Sequence, residues 1–226
     1  FPGSVTLPPA RNAPRRNDAL QQSSSTTGRL MCRASVSLGA KPKDYWKMLT
    51  EKDQVSSVTA AYGNAVFLLN VGLFGLMILG YYDLVGGAFN GITFGIIFCM
   101  LATCNSGSNP ATVWPILLGY VAASYLFRGV SALTGGQFAQ AINAQAILVG
   151  LCYANGLSPI TAKYGWQYGF GAAVVHYCLV TTVPSLHGGF CLYNGGFTAA
   201  LTCILVVPQL ERFARTKLQR LEAKKR

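Results

Sequence analysis

The chain has 226 residues, 51% of them hydrophobic and only 11% charged, with a formal net charge of +11. Soluble domains usually carry about 25% charged residues, so a water-soluble globule is excluded. A nucleic-acid-binding domain is excluded too, because its Lys and Arg would line one folded face. Here they gather at the ends, and residues 54–210 hold only Asp83, Arg128 and Lys163 as formal charges.

Residues 1–40 set five Arg against Asp18, contain six Ser, three Thr and four Pro, and show no apolar period. Such a segment cannot bury a core. Arg- and Ser-rich, acid-poor leaders are organelle addresses. The stretch Arg29-Leu-Met-Cys-Arg-Ala34-Ser35 reads as a plastid-type processing site with cleavage near Ala34. Phe1-Pro2 resembles a plastid leader exposed by removal of a signal peptide; a truncated gene model explains Phe1 nearly as well. A mitochondrial address is the second choice.

Residues 41–57 open as KPKDYWKMLTEKD and, with Tyr45 and Trp46 among mixed charges, suit the membrane–water interface. From 58 to 209 the sequence predicts an all-α integral membrane domain of about six transmembrane or re-entrant helices with glycine-interrupted segments. The apolar segments are 61–82, 84–104, 112–127, 141–157, 165–183 and 188–207. A span needs roughly 20 apolar residues, and the first two and last two suffice. The third is short, with Pro115 near its start. The fourth is short and polar, with Asn143, Gln145 and Asn155, and either spans or re-enters. The tail, 210–226, holds seven Lys and Arg against Glu211 and Glu222 and acts as a topology anchor. Basic flanks at both ends place both on one side, which requires an even number of spans.

The chemistry-bearing residues are sparse. Six of the seven cysteines fall in apolar segments without any C-x-x-C pair and read as packing residues, not as a zinc site, iron–sulfur site or disulfide framework. His176 and His187 are the only histidines and sit at different depths across a turn, which argues against a shared haem. No acid pair, Ser/His/Asp set or phosphate loop is visible. No enzymatic activity, cofactor or metal is therefore expected. Ser106-Gly-Ser-Asn109-Pro110-Ala111 resembles the aquaporin asparagine motif, but occurs once and reads as a loop entering a helix.

Leu84-Val-Gly-Gly-Ala-Phe-Asn90-Gly91 and Leu186-His187-Gly188-Gly189-Phe-Cys-Leu-Tyr193-Asn194-Gly195 share an L-x-G-G…N-G pattern and differ by a two-residue insertion. Paired glycine-interrupted segments point to a transporter's binding site. Equally, such glycines allow close helix packing, with the polar groups bonding across the interface.

The runs 72–120 and 156–208 resemble a bacterial multi-pass membrane family, a domain of unknown function. The resemblance rests on Asn90-Gly91, Trp114-Pro-Ile-Leu-Leu-Gly119-Tyr120, Leu157-Ser-Pro-Ile-Thr-Ala-Lys-Tyr-Gly-Trp166 and His187-Gly-Gly-Phe-Cys-Leu-Tyr-Asn194-Gly-Gly-Phe197. It implies a polytopic helical fold but no chemistry. Family members have two similar halves and this chain resembles the second, which implies that two copies pair to rebuild the whole. The expected function is thus passage or binding of a small solute or ion by a homodimer in an organelle membrane, plastid before mitochondrion. The expected site is Asn90, Gly91, His187, Gly188, Gly189, Tyr193 and Asn194. The competing expectation is a non-catalytic structural subunit of a larger plastid or mitochondrial membrane complex. Lipid and other membrane subunits are the partners; nucleic acid is not.

Overall fold

The computed structural model describes residues 41–136, 140–186 and 194–223, together with Thr26, Arg29, Leu30, Arg33 and Gly39. Among the described residues there are nine α-helices and no strand. They are α1 (Pro42–Thr50), α2 (Val58–Tyr62), α3 (Asn64–Leu84), α4 (Gly91–Ala102), α5 (Pro110–Thr134), α6 (Gln145–Ala154), α7 (Ser158–Tyr164), α8 (Trp166–Leu186) and α9 (Asn194–Ala223). Helix α4 tightens into a 3-10 turn over Thr103–Ser106, and α6 into another over Asn155–Leu157.

Two polar layers mark the ends of the bundle. At one end Gln54 Nε2 donates to Ser158 Oγ at 2.9 Å, Thr59 N–H donates to Asn105 Oδ1 at 3.2 Å, and Trp114 stacks on Trp166 at 5.9 Å. At the other, Asn90 Nδ2 donates to Gln145 Oε1 at 3.2 Å and Asn143 Nδ2 to the Gly86 carbonyl at 3.3 Å. Helices α3, α5 and α8 leave the Gln54 end. Helices α4 and α6 return to it, and α9 starts beside Tyr153 and His176 and runs past the Asn155–Leu157 turn. Helix α8 is the hub: its longest interface is with α5, followed by those with α9 and α7.

Three described helical segments are long and apolar enough to cross a membrane: Asn64–Leu84, Pro110–Thr134 and Gly195–Ala214. Large apolar side chains lie on their outer faces; Leu133 is 89% and Ile204 68% exposed, as suits contact with lipid. Helix α4 has 12 residues and α6 has 10. At 1.5 Å per residue they reach about 18 and 15 Å, against a hydrocarbon core of about 30 Å. The apolar runs 84–104 and 141–157 therefore overstate their helices. The Gly86–Asn90 connector and the 3-10 turns take up the remainder. The third run is understated: α5 continues past Phe127 to Thr134, so exposed Arg128 lies within the helix, near its end, and Gly135 (φ +68°) is the stop.

A short helix, a glycine and a 21-residue helix occur twice in succession, and the sequence match extends beyond the L-x-G-G…N-G pattern. Ser56-Ser-Val-Thr-Ala-Ala-Tyr-Gly63 aligns with Ser158-Pro-Ile-Thr-Ala-Lys-Tyr-Gly165. Each octapeptide ends a short helix at a glycine that almost no other residue can replace, Gly63 at φ 86°, ψ 165° and Gly165 at φ 106°, ψ 164°. Each glycine launches a 21-residue helix, α3 or α8, ending at Leu84 or Leu186, the leucine that opens the L-x-G-G pattern. Both copies leave from the Gln54 end, so they are parallel repeats. Gly165→Ala is expected to cost about 1–3 kcal/mol of stability through backbone strain, read as a lowered unfolding midpoint in detergent.

Candidate functional site

The glycine–asparagine elements begin helices. In the first copy, Gly86 (φ +70°) and Gly87 close α3, with Gly87 N–H donating to the Tyr82 carbonyl at 2.8 Å and Gly86 N–H to that of Asp83 at 3.1 Å. Asn90 then caps α4, accepting from Thr93 N–H at 3.0 Å. Asn90 and Gly91 are exposed, at the end away from Gln54. His187, Gly188, Gly189 and Tyr193 lie outside the described residues; Asn194 is the first residue of α9. Asn109-Pro110 opens α5, as expected of a loop entering a helix, with Asn109 and Thr112 forming a reciprocal cap.

The polar centre is formed by a histidine outside the expected site. His176, on α8, is fully buried. Its Nδ1 is 2.5 Å from the Tyr120 hydroxyl on α5, and its Nε2 is 3.1 Å from both the Gly195 carbonyl and Thr198 Oγ1 on α9. A carbonyl can only accept, so Nε2 carries the proton and Nδ1 accepts from Tyr120 O–H. This neutral tautomer ties three helices together. Beside Tyr120 lie the buried Tyr81 and Tyr177, and Tyr82 follows against Phe89 and Cys152; Tyr177 meets Tyr120 edge-on at 5.5 Å and donates to the Gln140 carbonyl at 3.4 Å. Ser124 Oγ donates to the same carbonyl at 3.1 Å. The Tyr81 and Tyr82 hydroxyls are buried without a partner among the described residues. Among the described residues no formal charge enters this cluster. An apolar groove of about 290 Å³ between α4 and α6 is lined by Ile92, Gly95, Ile96, Cys99, Cys152 and Tyr153. Cys152 also neighbours Tyr82 and Tyr120.

Glycines fix how close these helices come. A Cβ at Gly195 would collide with the Tyr153 ring, and one at Gly169 with Thr161 Oγ1. At Gly119 it would fall 2.8 Å from both the Phe170 carbonyl and Ala173 Cβ. At least for Gly195, the glycine of the second N-G element is a packing device that also presents a carbonyl to His176.

Residues 40–212 match a family described only as protein of unknown function, DUF1576. The chain belongs to the DUF1576 family. No curated protein and no solved structure is significantly similar to it.

The DUF1576 match takes in α1 to α8, α9 as far as Arg212, and thus the whole His176 cluster. Within the DUF1576 unit the two repeats diverge where the cluster forms. Aligned on Gly63 and Gly165, Phe74 stands where the second copy has His176, and Gly75 where it has Tyr177. That octapeptide repeat, laid over the helices, was the signal available for finding His176: a polar residue in one copy facing an apolar residue in the other. Outside the spans, Tyr62 on α2 donates to Glu51 Oε2 at 3.4 Å, and partial burial together with the Glu51 charge raises its phenol above the ordinary value.

Proposed function

We propose that this protein passes a small uncharged, hydrogen-bonding solute across an organelle membrane, with the His176 cluster as its selective constriction. One observation carries the reading: a fully buried, charge-free set of hydroxyls and one imidazole lies among apolar helices, with two tyrosine hydroxyls left without partners. Buried polar groups are ordinarily hydrogen-bonded, and unpaired ones inside a membrane domain mark places where a ligand or water fits. A charge-free lining recognises a neutral solute better than an ion, whose desolvation it would not offset. In this reading the six segments between the polar layers all cross the membrane, the short α4 and α6 contribute broken-helix ends, and two copies associate to shield them. Residues 1–40 direct the chain to a plastid.

The test is solute flux into proteoliposomes by light-scattering stopped flow, with urea and glycerol as probes. Wild-type protein is expected to speed equilibration over empty vesicles, and His176→Phe to remove most of that gain. Equal rates for wild type and empty vesicles would overturn the reading. Unchanged flux after alanine replacement of Asn90 and Asn194 would remove those two from the pathway.

The second reading, a structural subunit of a larger membrane complex, is favoured by the close-packing glycines at 119, 169 and 195, which build rigid helix contacts with no pathway implied. The mass of the complex extracted from its own membrane separates the two. A homodimer supports the first, and a single copy within a large assembly supports the second.

A further inference from the structure

We infer that the turn between α4 and α5 holds a monovalent cation, ligated by the side-chain oxygens of Asn70 and Asn155. The inference deepens the transport reading by naming a candidate coupling ion, yet it stands on separate observations at the Gln54 end.

Both asparagines are fully buried, at 0% exposure. Each has its amide nitrogen pinned and its oxygen free. Asn70 Nδ2 donates to the Ser108 carbonyl at 2.8 Å. Asn155 Nδ2 faces Thr103 Oγ1 at 2.5 Å and the Met100 carbonyl at 3.5 Å, while Thr103 Oγ1 itself donates to that carbonyl at 2.6 Å. Asn70 donates to a backbone carbonyl, which can only accept, so that amide cannot be turned round; Asn155 is oriented with its nitrogen towards the Met100 carbonyl. Asn70 Oδ1 and Asn155 Oδ1 are buried with no partner among the described residues. The two asparagines grip opposite ends of one short turn, for Ser108 N–H donates to the Thr103 carbonyl at 3.2 Å. Beside them, Ser108 Oγ and Ser158 Oγ lie 3.0 Å apart.

The fold directs negative potential to the same place. Helices α4 and α6 both run towards this layer and both end in 3-10 turns there, Thr103–Ser106 and Asn155–Leu157. Helix C-termini carry partial negative charge, and their last carbonyls look outward. Two short helices ending side by side, with free amide oxygens beside them, resemble the broken-helix ends by which membrane transporters hold sodium. The donor set also fixes the charge class. Divalent ions are held largely by carboxylates, and among the described residues no three His, Cys, Asp or Glu side chains converge. The oxygens here are neutral, and the ion they suit is Na⁺ or K⁺.

The test uses the full chain in detergent, without vesicles or flux, so a failure of transport leaves it intact. Thermal unfolding is followed as NaCl replaces N-methylglucamine chloride at constant ionic strength. The midpoint is expected to rise saturably with Na⁺, or equally with K⁺, and Asn70→Ala and Asn155→Leu are each expected to abolish the rise. If a variant does not fold, Asn155→Asp decides, because it keeps an oxygen ligand and adds a charge. It is expected to lower the half-saturating concentration about tenfold, as one extra charge-assisted ligand would. Identical midpoints in Na⁺, K⁺ and N-methylglucamine would mean that water satisfies these oxygens, and the inference would fail. A Na⁺ response that survives in the variants would overturn it as well.

Discussion

Gly119→Ala is expected to destabilise the protein by about 1–3 kcal/mol, for overpacking a well-fitted interface. The new Cβ would lie 2.8 Å from the Phe170 carbonyl and 2.8 Å from Ala173 Cβ. Neither neighbour can rotate away, since one is main chain and the other has no rotamer. Relief requires α5 and α8 to separate along the largest helix interface in the bundle. Separation would also stretch the Tyr120–His176 hydrogen bond, which joins the same two helices. Gly95→Ala is the matched control. Nothing lies within 4 Å of a Cβ there, and the position is inside α4. Alanine is favoured over glycine within a helix by roughly 0.5–1 kcal/mol, so this variant is expected to unfold at a higher temperature than wild type. Equal unfolding midpoints for the two variants would mean that the helices do not approach this closely.

The second large effect concerns His176. Replacing it with phenylalanine, the residue that the first repeat carries at the aligned position, preserves a ring of similar bulk but strands the Tyr120 hydroxyl, the Gly195 carbonyl and one bond of Thr198. A buried polar group left without its partner costs about 1–3 kcal/mol. Thr198 Oγ1 still reaches the Gly195 carbonyl at 3.0 Å, which limits the loss on the α9 side. A cost of about 2–4 kcal/mol is expected in chemical denaturation, from one fully stranded hydroxyl and one partly satisfied carbonyl. Tyr120→Phe alone leaves only Nδ1 unpaired and is expected to cost about 1–2 kcal/mol. In the double variant both members of the pair are apolar, so the costs should fall short of additivity by about 1 kcal/mol or more, as for residues in direct contact. Strict additivity would show that the hydroxyl and the imidazole do not bond in the folded protein. Flux, if present, should fall in both single variants and should not recover in the double.

Much of the architecture was legible from local rules. The near-absence of charge between 54 and 210 announced a membrane domain, and Asn109-Pro110 announced the start of a helix, because an asparagine cap followed by proline at the first position is a purely local device. Span lengths were less legible. Apolar runs measure what lipid or a core will accept, not what is helical, and Gly86, Gly87 and the residues of the 3-10 turns are apolar or small without being α-helical. Arg128 misled in the opposite sense: a charge ended the apolar run, but the stop is the left-handed glycine at 135. The site was the least legible part. Asn90 drew attention as a polar group beside glycine, and that pairing is also what an N-cap requires. His176 sits alone in an apolar stretch with no motif around it.

The sequence by itself determined that this chain is a helical membrane protein with basic flanks, that Asn90 and Asn109 open helices, and that a glycine–asparagine unit recurs. These properties follow from hydropathy, charge placement and capping, which act within a few residues. Only the tertiary structure decided that Gly195 serves as a seat for Tyr153 and a carbonyl for His176, that Tyr120 and Thr198 complete the imidazole's bonds, and that Asn70 and Asn155 grip the same turn. These partners lie 19 to 56 residues apart along the chain, and no local preference encodes a hydrogen bond between helices. That bond exists because close packing brings the groups together and because burial leaves them no water to bond instead.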